Sequence, residues 1–128
     1  MTKHGQFIVV EGLEGAGKST AINTIKAVLN QHHYAVLETR EPGGTGIGEV
    51  IRGLIKEKSL TETLEARSEL LLFYAARVQL IEQVIRPTLE KGTWVLADRF
   101  ELSTFAYQGA GRGLDINFIQ QLDSALRL

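Results

Sequence analysis

The sequence predicts an α/β fold in which helices cover both faces of a parallel sheet built around a phosphate-binding loop. Three observations predict it. Residues 11–20 read Glu-Gly-Leu-Glu-Gly-Ala-Gly-Lys-Ser-Thr, so Gly12 and Gly17 bracket four residues and precede Lys18 and Ser19, the full phosphate-loop pattern. Short apolar runs rich in β-branched residues, at 7–10, 34–37 and 93–97, alternate with amphipathic stretches, the arrangement of successive βα units. Ten of the thirteen glycines lie in three short stretches, at 12–17, 43–48 and 109–113, where backbone turns sharply or approaches a ligand.

The 128 residues suffice for one domain, expected to span 1–128. With 44% hydrophobic and 23% charged residues the composition is that of an ordinary globular protein. The net charge of −1 gives no electrostatic reason for a nucleic-acid or membrane-surface partner. The absence of cysteine excludes disulfides and thiolate metal sites. No signal-peptide region precedes the first strand and no apolar run approaches membrane-spanning length. A cytoplasmic location is the expectation.

In chain order, the first strand (7–10) should be buried on both faces. In the loop after it, inward-turned N–H groups and the following helix N-terminus favour phosphate. Lys18 would reach the outer phosphates, and the Ser19 hydroxyl would help hold Mg²⁺. Ala21, Ile22, Ile25, Val28 and Leu29 recur at helical spacing, which predicts a helix over 18–30. His32 and His33 have no third ligand at metal spacing and read as a solvated turn.

A second parallel strand over 34–37 leads to Thr39-Arg-Glu-Pro-Gly-Gly-Thr45, which places Arg40 on the rim of the phosphate loop. Arg40 is either a fork for a second phosphate or a surface arginine paired with Glu41. A short helix is predicted over 48–58, with Val50, Ile51, Leu54 and Ile55 on its apolar side. A long helical stretch over 64–90 is interrupted or ended near Pro87. On it, Phe73 and Arg77 share a face, as a ring and guanidinium for a flat base or as plain packing and a salt bridge.

The third strand ends in Asp98-Arg99 on the same rim. Asp98 suits Mg²⁺ or its water, and Arg99 suits bridging phosphates. In a following helix, Arg99, Ser103 and Tyr107 would form one row, with Thr104 and Gln108 beside it. Helix capping is the alternative for Ser103 and Thr104. Asp115 is the expected N-cap of a last helix carrying Ile116, Ile119, Leu122 and Leu126.

The four stretches 11–20, 39–45, Phe73-Tyr-Ala-Ala-Arg77 and Asp98-Arg99…Leu102-Ser-Thr104…Ala106-Tyr-Gln-Gly109 together resemble the bacterial thymidylate kinase family, of nucleoside monophosphate kinase type. The resemblance implies transfer of the γ-phosphoryl group of ATP to dTMP, giving dTDP and ADP with Mg²⁺, in a homodimer that pairs through its helices. It implies that Gly12, Leu13, Glu14, Gly15, Ala16, Gly17, Lys18, Ser19 and Thr20 bind the ATP phosphates. It also implies that Phe73 stacks on thymine and Arg77 hydrogen-bonds its edge. Arg40 and Arg99 would hold the acceptor phosphate, Glu14 the 3′-hydroxyl, and Tyr107 would crowd the 2′ position. Ser103, Thr104 and Gln108 would complete the dTMP site.

The acceptor is a phosphate monoester with a second pKa of about 6, already an oxyanion at neutral pH. Catalysis then needs alignment and charge neutralisation, not a general base. Lys18, Asp98 and Arg99 are the expected catalytic residues, with Ser19 and Asp98 at the metal.

Two departures stand out. Phe100 follows Asp98-Arg99 where tyrosine or histidine is more usual. Family members are longer, so the domain is expected to be incomplete at its C-terminus, lacking a basic lid and the last strands. Gly15 occupies the loop position where part of the family carries a catalytic arginine, which assigns that arginine to the lid. Exposed sheet edge and apolar surface follow. Two other functions fit these residues: a kinase for another nucleoside monophosphate, and a non-catalytic nucleotide-binding fragment.

Overall fold

In the computed structural model, residues 4–11, 17–57, 61–99 and 116–126 are described. Strand β1 (Phe7–Glu11) leads to helix α1 (Lys18–Gln31) and strand β2 (Val36–Arg40). Helices α2 (Gly46–Lys56) and α3 (Ala66–Leu80) follow, then a π-helical turn (Ile81–Ile85) and α4 (Arg86–Glu90). Strand β3 (Trp94–Arg99) and helix α5 (Ile116–Leu126) complete the described elements. Among these residues no helix is long and apolar enough to cross a membrane.

The sheet is parallel throughout, in the order β1-β3-β2. The chain crosses two positions from β1 to β2 and then steps back one to β3. Right-handed crossovers in opposite directions put α1 on one face and the α3–α4 connection on the other, which makes three layers.

Burial follows this order. Central β3 is sealed, with Val95, Leu96 and Ala97 at 0% exposure. The expectation that β1 is buried on both faces is corrected: Ile8, Val9 and Val10 are half-buried and Phe7 is exposed. The reason is position, since among the described residues β1 and β2 each have one strand neighbour. Among the described residues β1 and β2 each have an open outer edge, and Ile47, Val50, Leu54 and Leu71 are exposed apolar side chains.

Local chemistry sets the element ends. Helix α1 stops at His33, whose φ is 64°. Tyr34 N–H donates to the Leu29 carbonyl at 3.0 Å and His33 N–H to that of Asn30 at 3.0 Å, a Schellman closure. The exposed histidines form the expected turn. This closure takes up the Tyr34 N–H, and β2 starts at Val36, two residues after the predicted position, and runs on through Arg40.

Helix α2 begins two residues before its predicted start. The Thr45 hydroxyl accepts from Gly48 N–H at 2.8 Å, a side-chain N-cap. Thr45→Ala is expected to lower stability by about 1 kcal/mol, read from thermal unfolding.

The interruption expected near Pro87 is a π turn placed just before it. Arg86 N–H donates to the carbonyl of Ile81, five residues back. Pro87 has no N–H, and in an α-helix its ring would collide with the carbonyl of Gln83. Widening one turn relieves that conflict, and the helix resumes with Pro87 in the first turn of α4.

Two cores result. Leu80, Ile85 and Val95, flanked by Ile81, Val84 and Leu89, join this helix to the sheet. Leu70, Tyr74 and Ile119, with Leu122, dock α5 on α3, and the Tyr74 hydroxyl donates to the Ile119 carbonyl at 3.4 Å.

Candidate nucleotide site at the sheet rim

Strand register brings Arg40 and Asp98 to one rim. Val10 and Arg40 are both level with Asp98. Ligands of open α/β sheets sit beyond these carboxyl ends.

Gly17 precedes α1 with φ 80° and ψ 10°, a left-handed conformation in which glycine is unstrained. That turn sets Lys18 at the helix start with its side chain 7% exposed. Lys18 Nζ lies 2.6 Å from Asp98 Oδ1, while the Asp98 side chain is 32% exposed. Two residues singled out separately in the sequence are thus in direct contact. Ser19 and Thr20 are exposed in the same first turn. The Ser19 hydroxyl and the Asp98 carboxylate are oxygen donors, the chemistry that Mg²⁺ prefers alongside nucleotide phosphates.

A cavity of about 570 Å³ opens beside Asp98, with Leu37, Thr39, Arg40, Gly44 and Glu49 in its wall. Its size suits a small-molecule ligand. Gly44 has φ 84°, and a Cβ there would lie 2.6 Å from Thr39 Oγ1 and 2.7 Å from Leu80 Cδ1. Glycine is therefore required for both conformation and space.

Arg40 is exposed on this wall. The alternative partner considered for it, Glu41, is replaced by Glu49, whose Oε2 lies 3.5 Å from Arg40 Nη2. Glu41 instead turns inward. Glu49 Oε1 accepts from Gly44 N–H at 3.1 Å, and Arg52 Nη1 donates to the Pro42 carbonyl at 3.1 Å. The first turns of α2 thus clasp the loop 41–45.

The Gly44 hydrogen bond, with Arg40 and Arg52 nearby, holds the Glu49 carboxyl below the usual 4.5 despite some desolvation. A carboxyl with a lowered folded-state pKa stabilises above its unfolded pKa, and that contribution is lost as pH falls through the folded value. The melting-temperature gap between the protein and Glu49→Gln is expected to narrow once pH drops below about 4.5. A gap constant from neutral pH downward would refute this linkage.

Phe73 is half-buried one turn before Arg77. Arg77 is buried, its Nε donating to Glu41 Oε2 at 3.2 Å. Arg77 Nη1 lies 3.6 Å from Asp123 Oδ1, and the guanidinium sits 5.0 Å above the Tyr74 ring centre. Sequence reasoning missed Glu49, Arg52 and Asp123, and named Glu41 with the wrong partner. The available signal was charge beside the Pro-Gly-Gly turn at a strand's carboxyl end.

Gly12, Leu13, Glu14, Gly15, Ala16, Phe100, Ser103, Thr104, Tyr107, Gln108 and Asp115 lie outside the described residues. For Arg99 the strand backbone alone is described. Among the described residues, no group of three or more His, Cys, Asp or Glu side chains is arranged to hold a metal on its own.

Known proteins are similar to this chain in sequence and fold. A solved thymidylate kinase from Ehrlichia chaffeensis superposes with a TM-score of 0.80 and 38% sequence identity, covering 96% of this chain and 70% of that one. A thymidylate kinase of Legionella pneumophila (strain Corby) is 58% identical over 120 residues, 94% of this chain and 57% of the relative. One from Vibrio vulnificus (strain YJ016) is 53% identical over 126 residues, 97% of this chain and 59% of the relative. The chain thus spans somewhat over half the length of these relatives. The family profile described as thymidylate kinase matches residues 10–127. With this match running from the first strand to the last helix, the chain belongs to the thymidylate kinase family.

Proposed function

We propose that the chain carries the phosphate-loop and acceptor-binding part of a kinase that transfers the γ-phosphoryl group of ATP to dTMP, giving dTDP and ADP. The observation that carries this reading is the contact of Lys18 with Asp98 at the rim that also presents Arg40. Family membership adds the choice of substrate.

A dTMP phosphate oxygen attacks the γ-phosphorus while the bond to the β–γ bridging oxygen breaks, and that electron pair leaves with ADP. The attacking oxygen is already ionised at neutral pH, so no side chain need accept its proton. Lys18 offsets charge on the outer phosphates and Gly17, Ser19 and Thr20 present the helix start to them. Arg40 and Arg99 hold the acceptor phosphate, and Phe73 and Arg77 read the base. Glu14, Ser103, Thr104, Tyr107 and Gln108 complete the acceptor site. Ser19 and Asp98 would hold Mg²⁺, which when bound neutralises phosphate charge. The substrates are soluble nucleotides, and we place the reaction in the cytoplasm.

The test is ADP release with dTMP, dUMP, CMP and AMP as acceptors, alongside equilibrium binding of each. Turnover confined to dTMP, with weaker use of dUMP, supports the reading. Faster turnover of another monophosphate overturns the substrate, and dTMP binding without product overturns the catalytic part.

We also propose a homodimer formed through α2. Ile47, Val50 and Leu54 make an exposed stripe at i, i+3 and i+7, with Leu71 of neighbouring α3 also exposed. Val50, 73% exposed, is the test position. Val50→Asp is expected to convert a sedimenting dimer to monomer, and a monomeric parent protein would refute the dimer.

A further inference from the structure

We propose that Glu41 is the positioning residue that aims Arg77 at the base and so sets which pyrimidine the site accepts. This rests on the dTMP kinase reading above.

Glu41 follows β2 directly and is 5% exposed. Its backbone N–H donates to the Asp98 carbonyl at 3.1 Å, which pins it to the central strand at the phosphate rim. Its carboxylate accepts from Arg77 Nε at 3.2 Å. One residue therefore ties the base-reading helix to the strand that carries Asp98.

Stability alone is a weak reason for such a pair. Desolvating two charges costs much of what their attraction returns, and apolar replacement of a buried ion pair is often neutral or stabilising. What the pair does supply is direction. Guanidinium is a rigid planar fork that only donates. With Nε engaged by Glu41, Nη1 beside Asp123 and the plane over Tyr74, the direction of every N–H is set. A fixed donor matches the 4-carbonyl of thymine and opposes the 4-amino group of cytosine. Released from Glu41, the same arginine would still attract a nucleotide but would discriminate less between the two bases.

The experiment is calorimetric binding of dTMP and dCMP to the protein, Glu41→Gln, Arg77→Met and the double variant. Glutamine keeps the shape and an acceptor oxygen but removes the charge. Glu41→Gln is expected to weaken dTMP binding roughly tenfold and to reduce the preference for dTMP over dCMP by a similar factor. In the Arg77→Met background, Glu41→Gln should change neither quantity. An unchanged preference in Glu41→Gln, or an equal loss without Arg77, overturns the proposal.

Should Glu41→Gln not fold, Glu41→Leu combined with Arg77→Met replaces the pair by apolar groups. It should match Arg77→Met alone in having lost the preference; a preference retained there also overturns the proposal. A parent protein with no preference for dTMP would instead refute the substrate reading itself.

Discussion

On the kinase reading proposed above, Lys18→Met is expected to lower the rate of phosphoryl transfer by about 10²–10³ while leaving the fold intact. The lysine is almost fully buried where α1 begins and touches Asp98 at 2.6 Å. In that low-dielectric position its charge counts for more toward phosphate oxygens than it would in water. Methionine keeps most of the aliphatic stem, so packing at the start of α1 survives. Asp98 loses its counter-charge at Oδ1, which is buried, but its side chain is about one-third exposed, so the cost of the unpaired carboxylate is partial. The expected pattern is a fall in kcat with dTMP affinity close to that of the parent, since the loss falls on the donor phosphates. Turnover at the parent rate would remove Lys18 from the mechanism. Equal losses in kcat and dTMP affinity would move it to the acceptor side.

Leu80→Ala should have the largest effect on stability, about 2–5 kcal/mol. The side chain is 0% exposed and packs with Ile85 and Val95 where helix meets sheet. Alanine leaves a cavity that the paired central strand cannot collapse to fill. For a domain of this size that loss corresponds to a melting temperature lower by roughly 10 °C or more. Leu80 also stands against Gly44 in the cavity wall. The folded fraction should therefore show weaker acceptor binding as well as lower stability. A shift of only a few degrees would mean that the π turn is soft enough to repack around the gap.

Much of the fold was legible because its signals are local. Apolar runs marked three strands, and the phosphate-loop spacing correctly placed the start of α1 at Lys18. The displaced starts have equally local causes. Tyr34 looks like a strand residue, but a left-handed histidine before it and its own N–H bond back to Leu29 claim it for closing α1. The Thr45 hydroxyl starts α2 earlier than its apolar pattern does.

The π turn lay beyond reach. Proline signals a conflict, and whether a chain answers it by stopping, kinking or widening depends on what the next turn packs against.

At the rim, the pairing of the charged residues was not readable. Glu41 stands beside Arg40 in sequence, yet Arg40 meets Glu49 and Glu41 meets Arg77, thirty-six positions away. Strand direction sends adjacent side chains to opposite sides. Which carboxylate an arginine finds is then decided by helices that no short motif encodes.

The strand order also carries a consequence for how the chain acquires its structure during synthesis. β3 lies between β1 and β2, and those two do not touch. Among the described strands, the two earlier ones therefore have no sheet partner until residues 94–99 have been made. Emerging from the ribosome, Phe7–Glu11 and Val36–Arg40 must wait through α2, α3 and α4 with their hydrogen-bonding edges unmatched. The contacts that close the sheet are long in sequence and slow to find, whereas the helix pair α2–α3 can form at once. Folding of this unit is thus gated by the arrival of its third strand, and the nascent chain is most exposed to chaperones and to misassociation in the interval before it.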